Sequence, residues 1–297
     1  MTRVLLISHE PEAAPALIGR ILGERGVHTQ LHTVLADPSD PDTDFPDPTG
    51  FDAVISFGSF ANAYDETAQR WVEPETALVR SIVDQDVPYL GVCFGGQLLA
   101  TALGGSVLPA PFEEIGWIEI EPVAGVEHPV PTGPWFQWHL DVFTPPADAT
   151  VLATSPAGAQ AFRLRDNLAL QFHPEVNPAV LQEWMITDRD QLRECGVDPD
   201  ELLERTARET TKARTRAEAV VRAFLDSVNA DDHITTSNRS RYFATTDTVT
   251  MWLENSLPDT EIGDEEMYQH VSFRVTSNGV TSPWTAWEDS PEQQFSK

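Results

Sequence analysis

The chain has 297 residues, 41% of them hydrophobic, and 19 Lys and Arg face 47 Asp and Glu for a formal net charge of −28. So acidic a surface repels phosphates and argues against nucleic acid or an anionic membrane as a partner. No apolar run approaches the roughly 18 residues of a membrane helix.

Residues Val4–Ser8 form a compact apolar run that predicts a strand, and residues 15–25 an amphipathic helix. The start passes from Met-Thr-Arg straight into this strand, without the features of a signal peptide, so a cytoplasmic location is expected. Residues 29–35 read as a second strand. An acidic, proline-rich loop follows over 37–50, which its prolines and aspartates keep extended and exposed. Residues 51–57 predict a third strand, 75–86 a helix and 88–93 a fourth strand. A helix over 96–103 stops at the pair Gly104-Gly105. Strands and helices alternating in this way predict a mostly parallel sheet with helices on both faces.

After residue 105 the pattern changes to short strands separated by turns, near 117–121, 136–143, 151–154, 161–165 and 168–172. These read as antiparallel additions and a return to the main sheet. Residues 178–187 predict a helix, and 199–228 a long charged helix with Leu202, Leu203, Ala207, Val220, Val221, Phe224 and Leu225 on its apolar side. The expected organisation is one domain over 1–228 and an extension of unknown role over 229–297. In the latter only 251–253 and 271–275 hint at a helical turn and a strand.

Two cysteines, Cys93 and Cys195, make neither a disulfide framework nor a zinc site. Cys195 reads as an inert thiol. Cys93 stands in Gly91-Val92-Cys93-Phe94-Gly95, where an apolar strand runs directly into a helix. That is the cysteine form of the strained turn that lifts a nucleophile above a sheet. Gly91 and Gly95 permit the close backbone crossing. The helix points its N-terminal amides at the sulfur and favours thiolate, and the Phe94 amide is placed to donate to an oxyanion. A glycine-flanked cysteine alone also fits simple packing. A second motif, Gln171-Phe172-His173-Pro174-Glu175, follows another apolar run. His173 there supplies a base for the thiol, and Glu175 an acceptor that holds the imidazole.

The stretch 91–97, the stretch 171–175 and their order resemble the class I, triad-type glutamine amidotransferases. The likeness spans about residues 1–228 and is especially close to stand-alone members related to the amidotransferase domain of GMP synthetase. It also draws on Ile55–Glu66, Leu90–Val107, Gly116-Trp117, Trp135–Asp141 and Ser155–Phe162. The resemblance implies a flavodoxin-like, doubly wound sheet with added antiparallel strands, and Cys93, His173 and Glu175 as nucleophile, general base and orienting residue. It places an oxyanion loop at Gly58 and Ser59, where relatives usually carry Gly-Gly-Pro and this chain departs from that pattern. Gln97 matches a glutamine that meets the substrate's amino-acid end, although a helix cap explains it as well. Trp138, His139 and Asp141 match a segment lining the glutamine pocket. Asp141 is suited to an α-ammonium group, and Leu140 replaces a glycine common in relatives. His139 reads as a structural strand histidine rather than a second base.

The expected reaction is a glutaminase step. Cys93 forms a γ-glutamyl thioester, ammonia passes to a separate acceptor enzyme such as a synthetase, and water releases glutamate without metal or organic cofactor. A γ-glutamyl amide hydrolase acting on a larger compound would use the same triad. A non-catalytic scaffold subunit would not need all three residues. A chaperone or peptidase of related fold lacks the His-Pro-Glu stretch.

Overall fold

The computed structural model describes residues 2–13, 15–126 and 128–235, with side chains through Val228, and the backbone of 276–277 and 280–281. The chain divides into two units, Met1–Ala230 and Asp231–Lys297. The sequence hints at 251–253 and 271–275 lie outside the described residues.

The first unit is built on nine strands: Arg3–Ser8 (β1), His28–Thr33 (β2), Ala53–Ser56 (β3), Tyr89–Val92 (β4), Ser106–Pro122 (β5), Gly133–Thr144 (β6), Thr150–Ser155 (β7), Gly158–Leu164 (β8) and Asn167–Leu170 (β9). They run in the order β2-β1-β3-β4-β9-β8-β7-β5-β6. Pairing is parallel from β2 across to β9 and antiparallel from there to β6. In the second unit Thr276–Ser277 and Val280–Thr281 pair antiparallel.

Four of the parallel strands, β1, β3, β4 and β9, alternate their apolar residues between two cores. Val4, Leu6, Ile55, Leu90, Val92, Leu168 and Leu170 pack on helix α1 (Ala16–Glu24) and on Val220, Val221, Phe224 and Leu225 of helix α6 (Pro199–Thr235). Leu5, Ile7, Val54 and Tyr89 face the other way, onto α2 (Gln69–Asp84) and α3 (Phe94–Ala102). Burial on both faces explains why these strands read as unbroken apolar runs. The remaining helices are α4 (Pro178–Thr187) and α5 (Arg189–Glu194).

Several sequence expectations need correction. Helix α2 starts at Gln69 rather than 75, with Pro74 inside it. The proline resembles a helix start but here forfeits a single backbone bond within a helix that buries Trp71, Val72 and Val79. Strand β5 reaches back to Ser106. Pro109 and Pro111 hid this half, and a register break between Pro109 and Glu114 absorbs them. Strand β2 ends at Thr33, before Val34 and Leu35. Helix α6 runs to Thr235, beyond 228, and Ala207 is exposed on it. The buried neighbour is Thr206, whose hydroxyl accepts from Trp117 Nε1 at 2.9 Å. The short polar helix α5 was not anticipated.

The tightest constraint lies where β4 passes into α3. A Cβ on Gly91 would sit 2.4 Å from the Gly95 carbonyl oxygen, and one on Gly95 2.3 Å from that of Ser56. Gly91→Ala is therefore expected to lower the unfolding free energy by about 1–3 kcal/mol, as overpacking does. Gly23→Ala in α1, where a Cβ meets nothing within 4 Å, should raise it by roughly 0.5–1 kcal/mol. Urea denaturation checks both, and equal midpoints for the two variants would contradict the crossing.

Candidate active site

In a parallel sheet the C-terminal strand ends share one edge, and ligands bind in the crevice beyond it. Here β1, β3, β4 and β9 deliver His9, Gly58, Cys93 and His173 to that edge. Strands β4 and β9 are direct neighbours, with Val92 opposite Leu170. Cys93 follows β4 at once and His173 follows β9 by three residues, so residues 80 apart in the chain meet across one strand spacing.

Cys93 has φ 50° and ψ −105°, a conformation few non-glycine residues adopt. Its amide donates to the Leu170 carbonyl at 2.7 Å, and the Gly95 amide to that of Phe57 at 3.1 Å. These bonds hold the elbow. The thiol is buried at the N-terminus of α3 and accepts a long contact, 3.6 Å, from Gln171 Nε2. Cys195, by contrast, is partly exposed. Burial and the nearby Glu113 and Glu194 push its thiol up, as suits an unreactive cysteine.

His173 Nδ1 lies 2.7 Å from Glu175 Oε1, both side chains being buried. The ring packs edge-on against Trp184 of α4 at 4.9 Å between centroids. Trp184 is fixed in turn by its Nε1, which donates to the Glu12 carbonyl at 3.0 Å. Burial disfavours the imidazolium, but the Glu175 carboxylate and the Cys93 sulfur outweigh it and push His173 up to about 10. Nε2 makes no well-aligned hydrogen bond within the described residues. It is the ring nitrogen that Glu175 does not engage.

The substrate side is a cleft with ≈ 70 Å³ open to a water-sized molecule. Gly58, Ser59, Cys93, Phe94, Gln97, Trp138, His139, Asp141 and His173 all line it, and Glu175 stands behind His173. A Cβ on Gly58 would be 3.0 Å from His173 Cε1 and 3.8 Å from Cys93 Cβ, so the loop backbone closes directly over the pair. The amides of Gly58, Ser59 and Phe94 have no hydrogen-bond partner among the described residues. Gln97 Nε2 reaches the Asp141 carbonyl at 3.4 Å, and Asp141 Oδ1 accepts from Tyr64 at 2.7 Å. Burial and this carboxylate raise the Tyr64 phenol to about 12. Trp138 Nε1 donates to Gln191 of α5. His139 lies against Glu114, Nε2 to Oε2 3.1 Å, and Glu114 Oε2 also accepts from Ser155 Oγ and Gln160 Nε2.

Sequence reasoning missed four residues here. Gln171 belongs to the second motif but was given no role. Tyr64 lay in a stretch used only for the resemblance. His9 and Glu75 form a buried pair beneath the Gly58 loop, and no local pattern announces a histidine and a glutamate 66 positions apart. Among the described residues no group of three or more His, Cys, Asp or Glu is arranged to hold a metal ion.

The fold and cleft are those of an α/β protein with a cysteine elbow at the topological centre of its sheet. The family model for class-I glutamine amidotransferases matches residues 16–189, and the chain belongs to that family. It is similar to a glutamine amidotransferase from Thermotoga maritima, with 28% identity, TM-score 0.68, and 76% of this chain and 98% of that one covered. A glutamine amidotransferase from Methylobacillus flagellatus gives 26% identity and TM-score 0.68 over 76% and 95%. Among curated relatives, a glutamine-hydrolysing GMP synthase from Bordetella avium is 29% identical over 216 residues, 67% of this chain. The chain spans only 38% of that relative's length.

The His173 shift fixes a pH dependence. A group raised from 6.5 to about 10 on folding adds stability that is complete below about pH 6.5 and is lost as the pH climbs toward 10. The stability difference between the wild type and His173→Gln should therefore shrink steadily across that window. Denaturant unfolding at intervals from pH 6 to 10 measures it, and a constant difference would refute the raised value.

Proposed function

We propose that the chain is a glutaminase in which Cys93 attacks the γ-carboxamide of glutamine, His173 carries the proton and Glu175 orients His173. The observation that carries this reading is a buried thiol on a left-handed, glycine-crossed elbow. It shares one cleft with an imidazole whose far nitrogen is bound 2.7 Å from a buried carboxylate. The sulfur adds to the amide carbon, and the oxyanion is met by the Phe94 amide and those of the Gly58 loop. His173 protonates the departing nitrogen, ammonia leaves, and water then cleaves the thioester with His173 as base.

The match to the class-I glutamine amidotransferase family supports glutamine over a bulkier γ-glutamyl amide as the substrate. Asp141, held by Tyr64 and next to Gln97, is positioned to receive the α-ammonium group. The similarity to GMP synthases supports a synthetase-type enzyme as the acceptor of the ammonia, and a cytoplasmic setting. Residues 1–228 would carry the amidotransferase chemistry and 229–297 a separate extension.

Cys93→Ala is expected to abolish glutamine hydrolysis and labelling by a glutamine-mimicking electrophile. His173→Gln should lower kcat by roughly 10²–10⁴, the usual contribution of a positioned acid–base group. Near-normal turnover in either variant would overturn the assignment, and faster hydrolysis of bulky γ-glutamyl amides than of glutamine would move the substrate to that class. Asp141→Asn should raise KM by roughly ten- to hundredfold, since a hydrogen bond to a charged group is worth about 1.5–3 kcal/mol. Its kcat should stay close to wild type, and an unchanged KM in steady-state assays would remove Asp141 from the α-ammonium site.

A further inference from the structure

Beneath the Gly58 loop lies a polar group that the proposed chemistry does not use. His9, at the end of β1, is fully buried, with Nδ1 2.8 Å from the Gly58 carbonyl oxygen and Nε2 2.8 Å from Glu75 Oε2. Glu75, also fully buried on α2, accepts from the Ser56 hydroxyl through its other oxygen at 2.9 Å. The rings of Trp71 and Phe94 enclose the imidazole at 5.4 and 4.8 Å between centroids. Buried ion pairs are costly unless every partner is satisfied. This one is satisfied at both ring nitrogens, and one of them spends its bond on a loop carbonyl rather than on packing.

The consequence is geometric. Every described peptide is trans, so fixing a carbonyl fixes the amide of the same peptide in the opposite direction. His9 fixes the peptide after Gly58. The Gly95 amide fixes the one before it by donating to the Phe57 carbonyl. Gly58 is thus clamped on both sides while the amides of Gly58 and Ser59 stay free beside Cys93 and His173. Glu10, the residue after His9, extends the clamp, since its Oε1 accepts from Ser59 Oγ at 2.8 Å and from the Phe60 amide at 3.3 Å.

We propose that His9, anchored by Glu75, is a positioning residue for amide cleavage: its bond to the Gly58 carbonyl holds the loop's free amides toward the reacting carbonyl oxygen. The inference rests on the catalytic reading above. It requires that His9 act on the step that develops an oxyanion and leave the thiol itself alone.

The test compares glutamine hydrolysis by the full chain with alkylation of Cys93 by iodoacetamide. Alkylation joins sulfur to a saturated carbon and expels iodide, so it needs the thiolate and no oxyanion. His9→Leu should lower kcat roughly ten- to hundredfold, below the full loss of an oxyanion donor. Its KM should stay within about threefold and its alkylation rate within about twofold of wild type, a split that a general loss of structure would not give. His9→Asn, whose amide nitrogen replaces Nδ1 as a donor, should regain at least about fivefold over the leucine variant. If His9→Leu does not fold, the isosteric Glu75→Gln serves, with kcat lowered at least about threefold and alkylation unchanged. Wild-type kcat in the folded variant, or alkylation falling in step with kcat, would overturn the proposal. A wild-type chain that neither hydrolyses glutamine nor labels at Cys93 would instead defeat the catalytic reading beneath it.

Discussion

The site depends on one backbone crossing. Strand β4 must end with Gly91 pressed against the Gly95 carbonyl so that Cys93 can leave the sheet in a left-handed conformation. Such a residue costs of order 1–3 kcal/mol and persists only where its surroundings over-determine it. They do so here through two strands. Leu170 of β9 takes the Cys93 amide, and Phe57, just past β3, takes the Gly95 amide. The same two strands bring His173 and Gly58, so the bonds that hold the strain also place the imidazole and the loop amides.

Charge is organised around the same edge. In a chain with 47 acidic side chains, three of the buried glutamates each stand against a buried histidine: Glu75 with His9, Glu114 with His139 and Glu175 with His173. Imidazole suits this role because it carries a proton between two acceptors without the long side chain of lysine or arginine. The pairs differ in what the second nitrogen does. In His9 it bonds a loop carbonyl, whereas in His173 it is left open beside the thiol. In the proposed mechanism that difference separates a group that holds shape from one that moves a proton.

What could be read from sequence follows from how local each constraint is. The elbow was legible because its glycines, its apolar strand and its helix lie within a dozen residues, and His173 and Glu175 because they follow a strand with only a proline between them. The doubly wound sheet showed itself in unbroken apolar runs, which burial on both faces requires. Strand β5 was half hidden, since its prolines speak against a strand and only pairing with β6 across a register break keeps them there. Helix α2 was begun too late because Pro74 looks like a helix start until Trp71 and Val72 are seen buried before it. The His9–Glu75 pair was invisible. Its two members are joined only once β1 lies beside β3 and α2 packs across their face.

The state of His173 also bears on how one group can serve two opposite steps. Two neighbours favour its proton, Glu175 at Nδ1 and the Cys93 sulfur on the open side. In the proposed cycle the sulfur gives up its electron pair as it adds to the amide carbon, before the nitrogen departs and the thioester forms. One of the two supports for the imidazolium disappears at that moment, and the proton becomes easier to give to the departing nitrogen. Glu175 remains, so the ring keeps its orientation and is left neutral with Nε2 facing the thioester, ready to take a proton from water. When hydrolysis frees the sulfur as thiolate, the attraction returns and the imidazolium is restored. The alternation between acid and base then needs no movement of the histidine, only the gain and loss of one neighbouring charge.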